Sequence, residues 1–168
     1  MGDSMIEVPP AGLLWATRMK RYWPRIFRYL ERSTVAYRFG SLAAADESFG
    51  RTTRTTSNVV QIQFHPLLAD KGPSSSLLLG NLAHEGIHAI LYAATRGQSM
   101  HLPVAQVRRL VETHRISQNP PGYGERLLEI RGSTNETGIE LLTNKLLVDR
   151  GLPPLVRGRN AQYDASAH

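Results

Sequence analysis

The chain has no cysteine, which excludes disulfide staples, thiolate nucleophiles and cysteine-ligated zinc, so any metal must be held by His, Asp or Glu. No apolar run approaches the roughly 18 to 20 residues a membrane span needs. The first residues also lack the basic stretch, apolar core and cleavage site of a classical export signal, so a soluble chain is expected. Nothing in the composition fixes a compartment. Lysine is scarce, three against seventeen Arg, and the Arg are spread along the chain with one denser run from Arg18 to Arg32. What is present is ordinary: 168 residues, 41% hydrophobic and 20% charged, enough for one compact domain and too little for two of full size. The expectation is a single domain over 1–168, with a loose start over 1–12 and a C-terminal tail over 155–168. A net charge of +6 invites a polyanionic partner. No zinc finger, aromatic-interleaved groove or RNA-binding signature accompanies it, so nucleic acid is not the expected partner.

Hydrophobic periodicity gives the coarse architecture. From Leu13 to about Val35, Met19, Tyr22, Trp23, Ile26, Phe27 and Leu30 recur at helical spacing, with Pro24 placed to kink or split the helix. The stretch from Gly40 to Asn58 is small and polar, and RTTRTTS at 51–57 reads as a loop or flap with no chemistry of its own. Asn58 to Phe64 alternates as a half-buried strand. Residues 77–96 form an apolar helix with serines ahead of it as caps and Gly97 as a stop; Gly86 is an anomaly inside it, costing about 1 kcal/mol. A further helix is expected over 104–116, a short strand over 125–130, and a helix over 135–150 closed by Gly151 and Pro153. The expected class is α+β, mostly helical, with an active-site helix under a short sheet.

The chemistry is carried by His84-Glu85-Gly86-Ile87-His88, an H-E-x-x-H sequence. On a helix, residues i and i+4 stack on one face, so both imidazoles reach one metal while Glu85 leans over the neighbouring coordination position. Zinc accepts such nitrogen and oxygen donors, acidifies a water to a pKa of roughly 7, and a carboxylate in reach takes the proton. The competing reading is a pair of buried, hydrogen-bonded histidines beside a half-buried glutamate. Leaving three ionisable groups on an apolar helix without partners costs several kcal/mol, which favours the metal. A third ligand is needed, and the candidates downstream are His101, Glu112, His114, Glu125, Glu129, Glu136 and Glu140. Glu136 opens the last helix, with Glu140 one turn later able to orient an imidazole. Ser133-x-x-Glu136 is also a capping box, in which that glutamate only satisfies a backbone N–H.

H-E-G-I-H-A on an apolar helix, followed about fifty residues later by N-E-x-x-x-E-L-L-T, resembles the gluzincin branch of the zincin metallopeptidases. The resemblance covers roughly Asn58 to Pro154. It implies zinc held by His84, His88 and Glu136, Glu85 as general base, and a strand such as 58–64 lying above the active-site helix to pair with an extended protein or peptide substrate. The run V-V-Q-I-Q-F-H-P, then L-A-H-E-x-x-H-A and a C-terminal G-L-P-P, is also similar to small bacterial effector and toxin zinc proteases. That likeness implies Glu125 as third ligand, with Arg157 or Arg159 and Tyr163 lining the site. It also implies delivery by a specialised secretion system where the chain is not cytoplasmic, and an inhibitor or immunity partner. Tyr123, His114 and Tyr163 are the candidate oxyanion stabilisers. Substrates are expected to be acidic, given the basic balance.

Two other readings are open. Residues 141–156, L-L-T-N-K-L-L-V-D-R-G-L-P-P-L-V, resemble the helix after the signature loop of Fic-type nucleotidyl transferases, which implies ATP and magnesium; positions 129–140 supply neither the catalytic His nor the glycines that loop needs. The other is a non-enzymatic basic module binding nucleic acid or anionic lipid through Arg18 to Arg32, which would show steep salt dependence and be indifferent to Glu85.

Overall fold

The computed structural model describes residues 5–100 and 136–155, and of helix 136–149 the side chains from Gly138 onward. The architecture is α+β. A four-stranded sheet is built from β1 (Met5–Glu7), β2 (Ala36–Ser41), β3 (Gly50–Arg54) and β4 (Val60–Phe64) in the order β1-β2-β4-β3. The first three in that order run parallel, and β3 is antiparallel to β4 at the edge. Four described helices accompany it: α1 (Leu13–Tyr22), α2 (Pro24–Arg32), α3 (Ser76–Ala94) and α4 (Glu136–Asp149). No described helix is long and apolar enough to cross a membrane.

The sheet has one covered face. In β4, Val60, Ile62 and Phe64 are buried while Gln61 and Gln63 are not, the alternation expected of a half-buried strand. Tyr37 and Phe39 of β2 are buried on the same pattern. Trp15 of α1 meets Phe64 with ring centroids 5.5 Å apart, and Phe27 of α2 meets Phe39 at 5.9 Å. Pro24 splits the helical run as anticipated. Its ring supplies no N–H and it takes the first position of α2, where that donor is not needed. The indole of Trp23, at the break, donates to the Leu79 carbonyl at 2.8 Å and ties the corner to α3.

Helix α3 is the centre of the molecule. Every residue from Ser76 to Ala89 is buried, so it is packed on all sides. Ser75 caps its N-terminus by accepting from Leu78 N–H, worth about 1 kcal/mol. Its end turns through Arg96 and Gly97, both at positive φ. Two glycines let neighbours close in. A Cβ on Gly86 would lie 2.6 Å from Ile26 Cγ2 of α2, and one on Gly80 would collide with Leu155. The helix-weakening Gly86 is thus explained by the close pass of α2. Beyond α4, the buried Asn144 amide donates to Leu155 O at 3.0 Å and accepts from Leu155 N at 2.8 Å. Ser76 Oγ donates to Pro153 O at 2.6 Å, so the chain is pinned to α3 and α4 up to the expected start of the tail.

Three expectations are corrected. Residues 5–12 are not loose, because Met5–Glu7 pairs in parallel with Ala36–Arg38 and a 3-10 turn follows at Pro10–Gly12. RTTRTTS at 51–57 is not wholly a loop or flap, because Gly50–Arg54 is a strand in register with Val60–Phe64. Strand 58–64, observed as Val60–Phe64, cannot receive an extended partner, since β2 and β3 occupy both its edges. Among the described residues the unpaired edge beside α3 belongs to β3. The expected helix over 104–116 and strand over 125–130 lie outside the described residues.

Candidate metal centre

His84, Glu85 and His88 lie on the buried span of α3, with relative exposures of 4%, 5% and 6%. Their i, i+1, i+4 spacing puts both histidines on one face. The two Nε2 atoms converge to 3.2 Å. A tetrahedral zinc with Zn–N bonds of about 2.0–2.1 Å holds its nitrogens about 3.3 Å apart, so the separation suits a shared ion.

The tautomer of His88 is fixed by its other nitrogen. Nδ1 lies 2.7 Å from the carbonyl of Met100, and a carbonyl only accepts, so Nδ1 carries the proton. In the neutral ring Nε2 then presents a lone pair toward His84, the form a metal ligand requires. Met100 is brought there by the turn after α3: Gly97 N–H bonds Tyr92 O at 2.8 Å, and Thr95 Oγ1 both accepts from Ser99 N and donates to Ser99 O at 2.9 Å. Without a metal the same geometry is a hydrogen bond from His84 Nε2–H to His88 Nε2.

Glu85 is positioned by β3. Thr52 Oγ1 lies 2.9 Å from Glu85 Oε1 and 3.1 Å from the Glu85 carbonyl, so its single proton is shared between two acceptors. The other carboxylate oxygen, Oε2, lies 3.9 Å from His84 Nε2. One oxygen is thus held by the strand and the other turned toward the imidazole pair. Gly50 makes this fit possible, because a Cβ there would sit 2.8 Å from Glu85 Cγ.

The structure therefore brings together His84, Glu85 and His88. Glu140 is fully buried on α4, which packs against α3. Glu136 is the first residue of α4; its side chain lies outside the described residues. So do His101, Glu112, His114, Tyr123, Glu125, Glu129, Arg157, Arg159 and Tyr163. Among the described residues no group of three His, Asp or Glu closes a metal site. Gly50, Thr52 and the Met100 carbonyl escape sequence reasoning. The first two sit in a polar low-complexity run, and a backbone carbonyl leaves no signature in a sequence. No family model matches the chain, and neither curated proteins nor solved structures give a match.

Proposed function

We propose that the chain is a zinc-dependent metallohydrolase acting on peptide bonds. The observation that carries this reading is the convergence of two buried imidazole nitrogens at 3.2 Å beside a carboxylate with Oε1 held by a neighbouring strand and Oε2 turned toward them. His84 and His88 would hold the ion with a third carboxylate, for which Glu136 is the proposal and Glu125 and Glu129 the alternatives. Zinc bound there supplies Lewis acidity, polarising the scissile carbonyl and acidifying the attacking water. Glu85 takes the water's proton at Oε2 as the oxygen–carbon bond forms, and delivers it to the leaving amine as the carbon–nitrogen bond breaks. Thr52 keeps that carboxylate from rotating away. Among the described residues the outer edge of β3 is unpaired, and it offers backbone donors and acceptors to an extended segment running past Glu85, which suits a peptide. The basic charge balance favours acidic substrates.

Metal analysis of the purified protein is expected to give close to one zinc per chain. Glu85→Gln keeps metal and fold, yet yields no new termini when a mixed peptide pool is incubated with it and read by mass spectrometry. Native protein without zinc, or undiminished cleavage by that variant, sinks the proposal. Comparing zinc content of Glu136→Ala and Glu125→Ala assigns the third ligand.

A further inference from the structure

Half of the ten described arginines are tied into the fold by hydrogen bonds or ion pairs. Arg18 donates to the carbonyls of Leu68 and Ala69, Arg38 pairs with Glu7, Arg51 with Asp46, Arg54 donates to Gly97 O, and Arg150 donates to Tyr22 O and stacks on Trp23. Arg25, Arg28 and Arg32 differ. They make no hydrogen bond or ion pair among the described residues, although Glu31 lies on the same helix. All three open onto one hollow of about 740 Å³, together with Tyr29, Ser33 and Thr34, with Ala93 at the end of α3 also lining it.

The spacing i, i+3, i+7 places the three guanidinium groups along one side of α2, over a length of about 10 Å at 1.5 Å per residue. Like charges gathered around one concavity repel, and only an anion relieves all three together. The planar donor fork of arginine suits the paired oxygens of a phosphate. The three hydroxyls add donors and acceptors for the non-phosphate part of a ligand. A hollow of this volume is within the range of small-molecule sites, about 300–1,000 Å³. A long polyanion needs the basic stripe to run on, and here it stops: Arg18 is tied to carbonyls, and Arg21 stacks on Tyr22.

We infer that the α2 hollow binds a compact small molecule carrying two or more phosphate groups. No residue of it belongs to the His84, Glu85, His88 centre, so the inference stands or falls apart from the proposed hydrolysis. The test is titration calorimetry of the full chain with tripolyphosphate and with magnesium-free ATP, at about 0.15 M salt where long-range steering is largely screened. Vesicles of phosphatidylcholine carrying phosphatidylinositol bisphosphate, and duplex DNA, form parallel arms. Saturable one-to-one binding of a soluble polyphosphate is expected. Arg28→Gln combined with Arg32→Gln should weaken it by about tenfold or more, because two charge-assisted contacts are lost. Arg51→Gln, on β3, should leave it unchanged, with circular dichroism showing both variants folded. Absent binding, unchanged affinity in the double variant, an equal loss in Arg51→Gln, or binding confined to vesicles or DNA overturns the inference.

Discussion

A single absent methyl group governs how closely β3 can approach Glu85. Gly50→Ala places a Cβ 2.8 Å from Glu85 Cγ, so either the strand lifts or the carboxylate swings off its partner. Under the proposed hydrolysis the expected result is unchanged zinc occupancy with cleavage reduced by about tenfold to a hundredfold, because misplacing a reacting group by about 1 Å has effects of that order. Thr52→Val removes the hydroxyl that orients Oε1 while keeping the shape of the side chain. Under the same proposal it should lower kcat with little change in KM, and Thr52→Ser should restore most of the loss; an effect on thermal stability alone would reduce Thr52 to a packing role. Gly86→Ala tests the other side of α3. Its new Cβ meets Ile26 Cγ2 at 2.6 Å, and overpacking of about 1–3 kcal/mol outweighs the helix propensity gained, so Tm falls.

Among the elements, α3 and α4 were legible because their apolar content and caps are local. Ser75, Gly97 and Gly151 sit where a helix has to start or stop, and the structure uses them so. β4 was legible from its alternation. β1 and β3 were not. Each lies at an edge of the described sheet, is short and has no buried residue, and an edge needs no apolar face to be held when its backbone pairs with a strand that is already buried. The RTTRTTS run is therefore structured by β4 rather than by its own residues. The candidate site divides in the same way. His84, Glu85 and His88 announce themselves by spacing, whereas Thr52 and the Met100 carbonyl reach them only through tertiary folding. At this scale the clasp between α4 and the segment after it is open to test. Asn144→Ala removes both of its hydrogen bonds to the buried Leu155 backbone and should cost about 1–3 kcal/mol, read as a shift in denaturant midpoint with unchanged slope.

For the whole molecule, two titrating groups outside the candidate site set opposite limits. Burial holds the Tyr37 phenol above its ordinary value of 10.0, partly offset by its bond to Ser33. The folded state thus retains this proton more strongly than the unfolded chain. That contribution is complete below about pH 10 and is lost as pH rises through the raised value. Asp46 is held below its usual 3.8, first by the Ser48 backbone N–H and then by Arg51. Its contribution is present above about pH 3.8 and is lost as pH falls through the lowered value, a small effect because the ion pair with Arg51 lies at the surface, where solvent screens it. Thermal melts across pH should show Tyr37→Phe removing part of the alkaline loss and leaving the acid limb unchanged.

The contact between Gly80 and Leu155 also has a meaning in time. Roughly 75 residues separate the two, about 4–15 s of synthesis at about 5–20 residues per second. Throughout that interval α3 lacks one of the surfaces that cover it, and its leucine-rich side is open to whatever the nascent chain meets. The helix that carries the histidines is made after most of the described core, and its enclosure waits on residues made later still.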